Sequence, residues 1–152
     1  MSTKRRLGNG TFSNLQSSSG WKAWSGYALE SLAFKHLQQI KQALGIGALS
    51  TSSHSWVHRS NQTWPQGAQI DLLLDRPDNT INIIEIKFSQ SSFAINKAYA
   101  KDLRNKIGTF KAITGTRKNV FLTFLTTHGL QNNQYSNELV QGALTTDSLF
   151  SH

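Results

Sequence analysis

The sequence predicts an α/β fold, a three-layer sandwich in which helices flank a mixed central β-sheet. Three observations predict it. Residues 68–75 and 81–88 are apolar runs of strand length on either side of Arg76-Pro77-Asp78-Asn79-Thr80, which reads as a hairpin turn. Helical periodicity precedes that hairpin over about residues 22–44 and follows it over about 96–114. Residues 119–127, centred on Val120-Phe121-Leu122-Thr123-Phe124-Leu125, form a strongly β-prone, buried run. A hairpin, a crossover helix and a further buried strand together make a sheet with antiparallel and parallel pairs, covered by helices.

The elements follow in order. Residues 1–20 are rich in Ser, Gly and Asn around a Lys4-Arg5-Arg6 cluster and read as a flexible basic tail or linker. A linker at the start of a chain suggests a missing neighbour. Residues 21–152 then form one domain. The first helix ends at Gly45-Ile46-Gly47, and the second closes at Gly115. A first strand is expected over 55–60, a loop at Trp64-Pro65-Gln66-Gly67, a late strand around 135–140 and a short helical end at 146–150. There is no internal repeat.

Composition narrows the function classes. The chain has 152 residues and carries a net charge of +8, from 16 Lys and Arg against 8 Asp and Glu, which favours a polyanionic partner. It has no cysteine, so disulfides and thiolate zinc sites are excluded. No segment has the apolar length of a membrane helix and the N-terminus lacks a signal-peptide core, so no membrane partner and a cytoplasmic location are expected.

The chemistry concentrates on the hairpin. Side chains alternate across a strand, so Glu85 and Lys87 share one face while Ile84, Ile86 and Phe88 share the other. The two charges then stand roughly 7 Å apart. Asp71 on the partner strand reaches the same patch. Two carboxylates and an ammonium converging on a sheet suit a divalent metal with a cation beside it. On the first helix, Ala23, Tyr27, Ala33, Phe34, Leu37 and Leu44 gather on an apolar face, and Glu30 projects near its middle. A carboxylate pointing into a core needs a partner, either this polar cluster or a structural ion pair with Lys41.

These residues resemble the PD-(D/E)xK nuclease superfamily: Asp71, then Glu85-Ile86-Lys87 on the next strand, after a helix with an inward Glu30. From about Trp21 onward the chain is also similar to the C-terminal nuclease-like domain of a group of prokaryotic AAA-type ATPases. There the Gly-x-x-Ile-Asp strand, the Glu-Ile-Lys-Phe strand, the helix after it and the closing Leu-Phe recur. The resemblance implies a restriction-endonuclease-like sandwich and metal-dependent hydrolysis of DNA phosphodiesters. It implies that Asp71 and Glu85 ligate Mg²⁺ or Mn²⁺ with the Ile86 carbonyl as a third ligand. Lys87 would activate or orient water, and Glu30 would hold the metal directly or through water. Ile70 departs from the nominal motif, which has Pro there, a residue that ligates nothing.

Such residues suit the chemistry. Phosphodiesters repel nucleophiles through their charge, which a hard divalent ion neutralises while lowering the pKa of a bound water. An ammonium stabilises charge developing in the transition state. On the second helix Tyr99, Leu103, Ile107 and Phe110 form the buried stripe, while Lys97, Lys101, Arg104 and Lys111 form a basic line. That line is either a DNA phosphate surface or an ordinary solvated face. Ser89 is expected to share the active face and to bond Lys87 or a phosphate.

Other features carry less. His54 and His58 lack a third metal ligand, and His128 reads as a solvated or capping residue. Trp56 and Trp64 either stack on bases or anchor loops. Gly8-Asn9-Gly10 is followed by no Gly-Lys-Ser/Thr, so no Walker motif hydrolyses ATP here. The rival to a nuclease is a non-cleaving regulatory or DNA-binding module, attached in relatives to an ATPase domain. A simple salt-bridge cluster of Glu85 with Lys87, or a plain interaction domain, predicts no metal-dependent stabilisation, whereas a nuclease predicts about 1–3 kcal/mol at saturating metal. Cutting both strands of a duplex would favour a two-fold homodimer.

Overall fold

In the computed structural model, residues 31–149 are described. Helix α1 spans Leu37–Ala43 and is preceded by a helical stretch at residues 31–35. Then come β1 (Ser52–His58), β2 (Ala68–Arg76), β3 (Thr80–Lys87), α2 (Lys97–Thr114), β4 (Asn119–Thr126), α3 (Gln134–Leu139), β5 (Gly142–Thr145) and a 3₁₀ turn at Thr146–Leu149. The strands form one five-stranded sheet in the order β1-β2-β3-β4-β5. β1, β2 and β3 pair antiparallel, whereas β3–β4 and β4–β5 pair parallel. The sheet is mixed, as expected.

Strand alternation divides the core into two layers. Leu72, Leu74, Ile84, Ile86 and Leu125 pack with Ala33, Ile40 and Leu149 on one side. Leu73, Ile81, Ile83, Leu122 and Phe124 pack with Ala100, Leu103 and Phe110 of α2 on the other. β3 has both faces covered and every residue buried except Lys87, the pattern of a central strand.

Local chemistry explains the boundaries. Arg76 pairs with Thr80 across a three-residue loop in which Asn79 takes φ 62, a left-handed conformation that Asn tolerates. The Asn96 side chain caps α2 by accepting from Tyr99 N at 2.8 Å. Gly115 closes that helix at φ 65, where a Cβ would be strained.

Three expectations change. The first strand covers Ser52–His58 rather than 55–60; it is an edge strand of Ser and His, weak in β-propensity and placed by pairing with β2. The strand expected at 135–140 is the helix α3, because Asn133 accepts from Ser136 N while Ser136 Oγ accepts from Asn133 N, a reciprocal cap. The strand lies just after it, at β5. Phe34, expected on the apolar face, is 41% exposed; the helical stretch breaks at His36, and Ala33 and Ile40 are the buried positions. No helix among the described residues is long and apolar enough to cross a membrane.

Candidate functional site

The site forms where the hairpin opens. β2 and β3 are paired from Arg76↔Thr80 to Leu72↔Ile84, and no rung follows. Asp71 and Glu85 are therefore the first residues beyond the last rung on their respective strands. Against β1 the register moves from His54↔Leu73 to Trp56↔Ile70, so β2 carries one extra residue there, at Asp71-Leu72. The parity change has a visible consequence: Ile70 packs in the same cluster as Leu73, three residues on. Bulges of this kind end pairing and re-aim a side chain.

Tyr99, in the first turn of α2, gathers the polar groups. Its hydroxyl donates to Glu85 Oε1 at 3.0 Å. Lys87 Nζ lies 4.8 Å from its ring centroid, a cation–π contact that holds the ammonium on the α2 face. Glu85 and Lys87 thus share a face, as strand alternation requires. The Tyr99 hydroxyl is held far above its ordinary acidity range, first by burial and then by the charge and hydrogen bond of Glu85, with Asp102 and Asp71 contributing. Asp71 is half-buried, lies within electrostatic reach of that hydroxyl and accepts from Gln69 Nε2 at 3.3 Å.

Glu85 has a partner that sequence reasoning missed. Lys106 Nζ donates to Glu85 Oε2 at 2.6 Å, so both carboxylate oxygens are engaged. The Glu85 side chain is only 4% exposed and that of Lys106 23%. Position was the available signal: Lys106 lies seven residues, two helical turns, after Tyr99 and so falls beside the buried stripe rather than on the basic line.

The remaining candidates divide. Ile86 points its side chain into the opposite core layer and pairs with Leu125, leaving only its backbone for the site. Ser89 lies past the end of β3 and donates its hydroxyl to the Ser91 carbonyl, which leaves its oxygen as an acceptor. Lys97, Lys101 and Lys111 are exposed and form no ion pair among the described residues, whereas Arg104 pairs with Glu138 at 2.9 Å. Glu30 lies outside the described residues. Lys41, its alternative partner, donates to the Leu49 carbonyl at 2.6 Å. Trp56 packs edge-on to Phe110, and Trp64 Nε1 donates to Thr109 Oγ1 at 3.2 Å, which makes both anchors.

An oxygen-only donor set of this kind suits Mg²⁺ or Mn²⁺ rather than a softer metal. Among the described residues no group of three His, Asp or Glu side chains gathers as a metal-binding cluster. Asp71, Glu85 and a main-chain carbonyl are compatible with an ion that keeps several waters, as Mg²⁺ does.

No protein-family model and no curated protein matches the chain. The chain is similar to the crystal structure of AF1548, a protein of unknown function, at 15% identity and a TM-score of 0.47. The likeness covers 75% of this chain and 56% of that one, so the chain spans little more than half of that protein's length.

Proposed function

We propose that the chain carries a nuclease domain of the PD-(D/E)xK type, which hydrolyses phosphodiesters in DNA with Mg²⁺ or Mn²⁺. One observation carries the reading: Asp71 and Glu85 flank the mouth of an opened hairpin with Lys87 on the same face as Glu85. Asp71, Glu85 and the Ile86 carbonyl would hold the ion. Once bound, the ion would supply charge neutralisation at the phosphate and a more acidic coordinated water.

The chain's own residues do the rest. Lys87, steadied over Tyr99, presents an ammonium to the charge that builds on the phosphorane. Tyr99 fixes both members of the Glu-x-Lys pair from one side. Lys97, Lys101 and Lys111 offer phosphate contacts along α2, and Arg104 joins them only by leaving Glu138. Glu30 keeps the role of helix acid that the resemblance gives it, and Ser89 keeps an acceptor oxygen for Lys87 while its proton goes to Ser91, so that donation to a phosphate requires its hydroxyl to turn. A cytoplasmic location, a homodimer for double-strand cutting and an attached ATPase domain in relatives belong to the same reading.

The second reading, a DNA-binding or regulatory module that does not cut, is favoured by the grip of Lys106 on Glu85. Incubating plasmid and branched DNA with Mn²⁺ separates the two. Cleavage by the native chain and none by Lys87→Ala is the expected result; cleavage by both proteins, or by neither, defeats the nuclease assignment.

A further inference from the structure

Lys106 stands between two environments. On one side its amine meets the buried Glu85 carboxylate at 2.6 Å. On the other it borders a cleft of about 380 Å³ lined by residues 66–69, Asp102 and Asn105. Asp102 lies one helical turn before it on α2, the spacing at which a lysine and an acid reach each other. The amine therefore has two carboxylates within its range, one buried and one exposed.

We infer that Lys106 is a built-in counter-ion for Glu85, which a divalent cation must displace toward Asp102 and the cleft. The inference rests on the nuclease reading and adds a control to its site. A buried carboxylate without a cation is costly, so an unloaded site needs Lys106 in place. A metal ion and an ammonium sharing Glu85 would stand no more than about 5 Å apart, and like charges at that separation in a partly buried site repel strongly. Occupancy by one therefore disfavours the other. The displaced amine is not lost, because it moves to Asp102 at the cleft, where it is solvent-accessible and can meet a phosphate. Loading of the site and creation of a phosphate contact become one event. Lys106 is a positioning residue in this scheme.

Calorimetric titration of the full chain with MnCl₂, beside thermal unfolding with and without Mn²⁺, tests the inference. In Lys106→Met the competitor is gone, so Mn²⁺ should bind at least about tenfold tighter while the metal-free protein melts lower. Lys106→Arg keeps a cation on Glu85 and should bind Mn²⁺ no tighter than the native chain. A merely structural lysine predicts weaker binding in both variants, and that outcome overturns the inference. Equal Mn²⁺ affinity in the native chain and Lys106→Met overturns it while leaving the metal site standing. If no protein binds Mn²⁺, the nuclease reading falls with it. Should Lys106→Met be unfolded without metal, Mn²⁺ must restore its folded near-ultraviolet circular dichroism, and failure to do so also counts against displacement.

Discussion

Tyr99 does the work of three residues at the hairpin mouth. It donates to Glu85, lies beneath Lys87 and is buried enough that its proton is hard to remove. Replacing it with Phe keeps the ring and the cation–π contact but deprives Glu85 Oε1 of its donor. Loss of one hydrogen bond to a buried carboxylate costs about 1–3 kcal/mol, read from urea unfolding at neutral pH. The pH dependence has a definite sign. Tyr99 holds its proton in the folded chain above the ordinary value of 10.0, and releases it near that value when unfolded. Its contribution to stability is thus complete below about pH 10 and declines as pH rises further. Comparing unfolding at about pH 8 and about pH 11 should show a smaller alkaline loss in Tyr99→Phe than in the native chain; equal losses would count against this burial.

At the scale of elements, the opened hairpin and α2 depend on each other. The extra residue in β2 ends the ladder with β3, and the first turn of α2 covers the gap with Tyr99. Asn96 caps that turn by bonding Tyr99 N itself, so helix start and site geometry are set by one contact. The same helix carries its exposed lysines away from the site's buried stripe. If Lys97, Lys101 and Lys111 each meet a phosphate, replacing all three with Ala should weaken DNA binding regardless of sequence. The slope of log affinity against log salt should then become shallower by about 2–3. An unchanged slope would make the line an ordinary solvated surface.

Across the whole molecule, what could be read in the chain followed the strength of local signals. The hairpin and α2 were legible because apolar alternation, Pro77-Asp78-Asn79 and the closing Gly115 all agree with the tertiary arrangement. β1 was displaced because its Ser and His residues have little preference of their own and take their register from β2. α3 forms where the sequence suggests a strand because the Asn133–Ser136 cap outweighs the β-prone Tyr135 and Val140. The pairing of Glu85 with Lys106 spans 21 residues, and its only trace in the chain is the place of Lys106 beside the buried stripe of α2. The bulge at Asp71 is likewise a property of two strands, invisible in one. Yet the shared face of Glu85 and Lys87 was legible from alternation, and both meet Tyr99 on it.

Two strands parting so that Asp71 and Glu85 share a divalent ion beside Lys87 is the arrangement on which the proposed chemistry depends. Anomalous diffraction from crystals of the full chain soaked in Mn²⁺ measures it directly. The account predicts one ion roughly 2.0–2.6 Å from carboxylate oxygens of both Asp71 and Glu85. An ion bound elsewhere, or a crystal saturated with Mn²⁺ in which neither carboxylate touches metal, would contradict it.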